Sequence, residues 1–175
     1  MGDSYRVLVV DDEEMVSKFI VSLLFQYGHH CETAKGGLEA LDTIKKTSFD
    51  VVITDIVMPQ VDGITLTKEL VRRSPGLPIM VMTGHGEEYS GESAIKAGAR
   101  EFIKKPFSVP EFLIRFNKMM RDHKALHKLK ERRNEMLFHS QRELDEKMEK
   151  LRMGIDPLRG RWSFYYDPDI DSDSE

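Results

Sequence analysis

One cysteine, one tryptophan and no extended apolar run set the first limits on this 175-residue chain. With Cys31 alone, no internal disulfide can form, which fits a reducing compartment. A membrane span needs about 20 apolar residues in sequence, and nothing here approaches that length. Val7 to Val10 ends in Asp11-Asp12-Glu13-Glu14, so it is far too short for a signal peptide. The expected location is cytoplasmic. Positive charge is not in excess either: 26 Lys and Arg stand against 30 Asp and Glu, a net charge of -4. No global basic field therefore points to nucleic acid. The 40% hydrophobic content suffices for a real core, and 32% charged residues imply an exposed, highly charged segment. The length suits one domain plus an extension.

The chain is organised around Phe49 to Gly63, FDVVITDIVMPQVDG. Val51, Val52 and Ile53 form a short β-branched run of the kind buried on both faces of a parallel sheet. Asp55 follows it. In open parallel sheets the ligand crevice lies beyond the carboxyl ends of the strands, which places Asp55 at that crevice. Pro59, Asp62 and Gly63 break the strand, and Asp62 is a candidate cap for the next helix.

The remaining chain alternates in the same way. Tyr5 to Val10 predicts a first strand, and Glu13 to Tyr27 a helix with Met15, Phe19, Ile20, Leu23 and Leu24 at helical period, stopped by Gly28. His29 to Ala34 is a weaker strand, and Leu38, Leu41 and Ile44 mark a second helix. Ile64, Leu66 and Leu70 mark the third. Ile79 to Met82 is strand four, Glu87 to Ala97 a short helix closed by Gly98, and Glu101 to Lys104 strand five. A last helix begins near Ser108 with Pro110 in its first turn. Five strands alternating with five helices predict a doubly wound parallel α/β sheet with right-handed crossovers. No internal repeat is present.

Carboxylates gather at two strand ends: Asp11 and Asp12 after strand one, Asp55 after strand three. In a sheet of order 2-1-3-4-5 those strands are neighbours at the switch point. Like charges about 4 Å apart repel by roughly 4 kcal/mol at an effective dielectric of about 20. Protonation or a divalent cation must relieve that, and carboxylate oxygens with room for water suit Mg²⁺. Helix capping is the plain alternative for Asp11-Asp12 taken alone. Thr83 after strand four adds a hydroxyl, with Gly84 leaving room behind it, and Lys105 after strand five adds a cation. Lys105 precedes Pro106, where a cis peptide is accessible. Together these groups predict phosphoryl transfer, with Asp55 as nucleophile forming an aspartyl phosphate. Mg²⁺ and Lys105 would neutralise the phosphoryl oxygens and Thr83 would hydrogen-bond one of them.

The motifs VLVVDDEE, DVVITDIVMPQVDG, PIMVMTGHG and KAGAREFIKKPF, in that order, resemble the receiver domain of bacterial two-component response regulators over residues 5 to about 121. The resemblance implies a five-stranded sheet of order 2-1-3-4-5 flanked by five helices. It implies that Asp55 accepts a phosphoryl group from a sensor histidine kinase or a histidine phosphotransfer protein. It further implies Mg²⁺ held by Asp12, Asp55 and the Val57 backbone carbonyl, with Asp11 acting through water. Thr83 and Phe102 match the positions that shift on phosphorylation, core packing being the plain alternative for Phe102, and Lys105 matches the lysine of the motif. Such a domain is no enzyme beyond its own phosphorylation and dephosphorylation. A phosphatase of the haloacid dehalogenase type is disfavoured, because Asp11 is followed by Asp-Glu-Glu-Met and not by x-Asp-x-Thr.

Three segments follow: a receiver at 1–121, an extended helix at 122–152 and a tail at 153–175. The extension continues the last helix, and Leu137, Leu144 and Leu151 recur at seven with Met148 between them, a heptad seam. Leu126, Leu129 and Met136 belong to a different frame. A lone helix of this kind needs a partner or frays, so a downstream protein or a homodimer is expected, with a solvated charged helix as the alternative. Its basic first half (Lys124, Lys128, Lys130, Arg132, Arg133) is balanced by a Glu-rich second half, so nucleic acid is not the expected partner. The chain is alternatively the receiver portion of a longer transcription regulator. The tail carries Trp162, Phe164, Tyr165 and Tyr166 and then alternating Asp and Ser, expected to be disordered. His29, His30 and Cys31 alternate faces on a strand and do not suit a shared metal. His123 and His127 lie at i,i+4 without a third ligand. His85, two residues beyond Thr83, is positioned by the resemblance to tune hydrolysis.

Overall fold

Five strands, β1 (Arg6–Val10), β2 (His30–Ala34), β3 (Val51–Asp55), β4 (Ile79–Thr83) and β5 (Glu101–Lys104), pair in parallel in the order β2-β1-β3-β4-β5. Helices α1 (Glu14–Gln26), α2 (Gly37–Lys46), α3 (Gly63–Arg73), α4 (Gly91–Ala97) and α5 (Val109–Met153) alternate with them. The computed structural model describes residues 3–84 and 91–153. This is the doubly wound sheet that the sequence predicts. The expectations for His85, for the start of the fourth helix and for the tail fall outside the described residues.

The physical basis is the alternation of strand side chains between two faces. Val7, Val9, Val51, Ile53, Met80 and Met82 point to one side, where Ile20 and Leu24 of α1 and Phe112 and Phe116 of α5 cover them. Leu8, Val10, Val52, Ile79 and Val81 point to the other, against Leu66 and Leu70 of α3 and Ala94 of α4. All five residues of β3 and of β4 are buried, which is why those strands read as continuous apolar runs. Strand β2 lies at the sheet edge with a largely exposed pattern, and its weak sequence signal follows from that.

Two helical stripes differ from the sequence reading. In α1 the buried residues are Ser17, Ile20, Leu23 and Leu24, whereas Met15 is 86% and Phe19 47% exposed. At about 100° per residue, Met15 and Phe19 lie about 140° and 100° around the helix from Ile20, outside the face toward the sheet. Leu38 of α2 is likewise exposed, while Ala40 is fully buried.

Helix α5 begins in the core. Phe107 stacks on Phe112 with ring centroids 5.6 Å apart, and Phe112 on Phe116 at 6.2 Å. Met119 and Met120 are also buried. The chain parts into two units at Ala125 and Leu126. From Lys124 through Glu149 every residue of the helix is exposed. Among the described residues, no helix is long and apolar enough to cross a membrane.

Candidate functional site

The carboxyl ends of four strands supply the site. Asp11 continues from β1 and is held by its N–H donating to the Ala34 carbonyl at 3.1 Å. Asp55 ends β3, and the next residue, Ile56, donates its N–H to the Met82 carbonyl of β4 at 3.0 Å. Thr83 ends β4 and accepts at its carbonyl from the Lys105 N–H at 2.6 Å. The Lys105–Pro106 peptide bond is cis.

Carboxylate oxygens of Asp11, Asp12 and Asp55 all lie within 4.8 Å of one another. Asp11 and Asp55 are buried at 1% and 6% exposure, and Asp12 is exposed. The Lys105 ammonium sits among them, 3.0 Å from Asp11 Oδ2 and 3.2 Å from Asp55 Oδ1, with Glu13 Oε1 at 4.0 Å. The Asp11 contact is a hydrogen bond. The Asp55 contact is an ion pair without hydrogen-bond alignment, so Asp55 Oδ1 is buried with no hydrogen-bond partner among the described residues. Asp11 also accepts from the Glu13 N–H at 2.9 Å through its other oxygen, so the local, helix-starting role and the cluster role coexist in one side chain.

Burial pushes the Asp55 carboxyl above its ordinary pKa; the Lys105 charge pulls it back and Asp11 pushes it up again. Burial works against the Lys105 charge, but the hydrogen bond to Asp11 and the charges of Asp55 and Asp11 outweigh it and leave its pKa raised. The cluster is thus short of positive charge: two buried carboxylates and a third nearby share one ammonium. All its donors are oxygens, the set that suits a hard divalent cation.

The remaining sequence candidates lie on β4, on β5 and in the loop after β3. Thr83 is 5% exposed, and its hydroxyl donates to the Gly84 carbonyl at 3.1 Å. Val57 directs its side chain largely into solvent. Its loop is closed by Asp62, whose Oδ1 accepts from the Thr65 N–H at 2.6 Å, and by Gly63, whose N–H donates to the Ile56 carbonyl at 2.8 Å. Phe102 is partly buried against the Leu66–Val81 core cluster. The Arg115 guanidinium lies over its ring at 5.9 Å and is held 3.2 Å from Glu101.

Two glycines, Gly63 (read in the sequence only as a strand breaker) and Gly91, matter here through close contacts. A Cβ on Gly63 would overlap the Asp55 main chain, and a Cβ on Gly91 would fall on the Phe102 ring. Their sequence neighbours hold no hint of it; only the fold brings those pairs together. The Arg115–Phe102 contact was equally hidden, since it joins α5 to β5.

Comparison with known proteins gives the relatives of this fold. Residues 7–117 match the response regulator receiver domain. The chain is 34% identical over 116 residues to the response regulator MprA of Mycobacterium sp. (strain KMS), covering 66% of this chain and 50% of that protein. Against MprA of Mycobacterium tuberculosis (strain H37Rv) it is 34% identical over 118 residues, 67% of this chain and 51% of the relative. The chain therefore spans about half the length of these curated relatives. Among solved structures it is similar to NtrX from Brucella abortus, with a TM-score of 0.70 and 29% identity over 74% of this chain and 29% of that one. It is also similar to a response regulator receiver domain protein from Clostridium thermocellum, with a TM-score of 0.64 and 32% identity over 69% of this chain and 98% of that one. With residues 7–117 matched and the strands in the order β2-β1-β3-β4-β5, the chain belongs to the response regulator receiver family.

Proposed function

We propose that this protein is a cytoplasmic phosphoacceptor: Asp55 takes a phosphoryl group from a phosphohistidine on a sensor kinase or a phosphotransfer protein. The observation that carries this reading is the buried Asp55 Oδ1, without a hydrogen-bond partner among the described residues and beside the Lys105 ammonium. An Asp55 oxygen attacks phosphorus as the histidine P–N bond breaks, and the departing imidazole takes up a proton. Lys105 remains close enough to neutralise charge on the transferred group, and the Thr83 hydroxyl turns from the Gly84 carbonyl toward a phosphoryl oxygen. Asp12, Asp55 and the Val57 carbonyl would hold Mg²⁺, with Asp11 completing the shell through water. When bound, Mg²⁺ supplies the positive charge that Lys105 alone does not provide.

The phosphoryl group adds negative charge where three carboxylates already crowd. Drawing Thr83 inward opens space toward Phe102, and the Phe102 ring follows, which biases the surface of α4, β5 and α5 between two states. That surface and the helical extension carry the output to a protein partner, a second copy of this chain included. The chain's own chemistry is limited to gaining and losing its phosphoryl group.

Intact-mass measurement after incubation with acetyl phosphate and Mg²⁺ tests the reading. One added phosphoryl group, lost in Asp55→Asn and on chelation of Mg²⁺, is the expected result. Phosphorylation that survives Asp55→Asn would exclude Asp55 as acceptor.

A further inference from the structure

Helix α5 turns a row of long apolar side chains to solvent: Leu126, Leu129, Leu137, Leu144, Met148 and Leu151 are 41% to 62% exposed. An isolated helix with no buried face is marginal in water. Read as heptads, these residues fall into two frames that do not join. A spacing of three, four and four joins them. Leu126, Leu129, Arg133, Leu137, Ser140, Leu144, Met148 and Leu151 lie on one stripe of eleven-residue period, which runs almost straight along the helix with a shallow right-handed winding.

The stripe reads the same from either end. Leu126 corresponds to Leu151, Leu129 to Met148, Arg133 to Leu144 and Leu137 to Ser140, about a midpoint between Phe138 and His139. A seam with this symmetry is complementary to its own reverse, the requirement for an isologous two-fold contact. We infer that Leu126 to Leu151 of α5 binds the same segment of a second copy of this chain, antiparallel, as a two-stranded coil of eleven-residue period. The inference rests on the extension being a protein-contact element and not on Asp55 chemistry.

Charge selects both the occupant and the direction. In the antiparallel pair, residues 128–133, with Lys128, Lys130, Arg132 and Arg133 against Glu131, lie opposite residues 144–149, with Asp145, Glu146 and Glu149 against Lys147. Lys130 comes level with Lys147 of the other copy, which lies on the opposite flank of the stripe, while Asp145 beside it shares the flank of Lys130. A parallel pair would set the basic segment against itself, and charges flanking a seam decide orientation in such coils. Arg133 meets Leu144, where its aliphatic stem covers apolar surface while its head reaches water. Met136, exposed, lies next to Leu129 and Ser140 around the helix and widens the apolar band near the midpoint.

Sedimentation equilibrium of the full chain, with no phosphoryl donor, is expected to give a dimer that persists in Asp55→Asn. Leu129→Asp and Leu144→Asp should each give a monomer whose receiver melts at the parent temperature. Ser140→Leu should tighten the dimer about tenfold or more, since two added leucines enter the seam, a gain that a misfolded chain would not show. Nitroxide labels on Lys128→Cys in a Cys31→Ser background report direction. Antiparallel copies place them about 30–35 Å apart, from 21 residues of about 1.5 Å rise, and parallel copies about 10–20 Å. A monomer throughout, a dimer indifferent to both aspartates, a dimer that requires Asp55, or a short label distance would each overturn the inference.

Discussion

Gly63 lies against the main chain of Asp55 so closely that a Cβ at position 63 would overlap the Asp55 carbonyl oxygen. The first residue of α3 and the last of β3 are therefore in direct contact, and the Gly63 N–H bond to the Ile56 carbonyl holds them there at 2.8 Å.

Gly63→Ala should consequently push apart the strand end that presents Asp55. Overpacking of this kind costs about 1–3 kcal/mol. The loop that carries the Val57 carbonyl moves with it, so the Mg²⁺ binding proposed for this loop is expected to weaken as well. Thermal unfolding and Mg²⁺ titration check the two effects, and an unchanged melting temperature would contradict the packing argument.

Lys105→Met leaves the Asp11 and Asp55 side chains, 0% and 8% exposed, without their cation. Removing one member of a buried ion pair costs about 3–5 kcal/mol. Mg²⁺ should then raise the melting temperature of the variant more than that of the parent, because it substitutes for the missing charge. Equal rises would count against a cluster limited by positive charge.

His29 gives the fold a pH dependence of definite sign. It is 6% exposed, its Nδ1 accepts from the Tyr5 N–H at 3.4 Å, and its ring sits 5.3 Å from both Tyr5 and Phe116. Burial, and then the neighbouring His30, hold its pKa below the ordinary 6.5. The unfolded chain thus takes up this proton first. Its contribution to stability is complete above about pH 6.5, declines as pH falls below that, and levels off beneath the folded-state pKa. Urea unfolding between pH 8 and 5 should show the decline in the parent and a flatter curve in His29→Gln, which keeps an acceptor without titrating. Parallel curves would remove His29 from the account.

Burial pushes the half-buried Cys31 thiol up to about 11. At pH 8 roughly a thousandth of it is thiolate, the reactive form. Its reaction with a disulfide reagent should be about a hundredfold slower in the folded chain than in urea. Comparable rates would mean that the thiol is not held in its protonated form.

What was legible in the sequence was whatever a strand or its end determines locally. Three apolar runs, two weaker strand segments and the residues just past them predicted the sheet and set Asp11, Asp12, Asp55, Thr83 and Lys105 at one end of it. Contacts made by the absence of a side chain were not legible: nothing near Gly63 or Gly91 in sequence names Asp55 or Phe102 as the neighbour. Apolar residues at helical spacing misled in α1, because Met15 and Phe19 satisfy the period while facing away from the sheet. The sequence showed His29 only as unsuited to a shared metal; its burial depends on Phe116, which lies far along the chain on α5.

Helix α5 closes the core through Phe112, Phe116, Met119 and Met120 before its exposed stretch begins at Lys124. One continuous helix thus contains two regimes of mutational tolerance. Substitutions in its first turns are answered by the receiver's own folding. From Lys124 through Glu149 no side chain is buried, so changes there leave the core untouched and alter only the exposed surface of the helix. Sequence change can accumulate along this segment while the strand-end cluster of Asp11, Asp55 and Lys105 stays as it is.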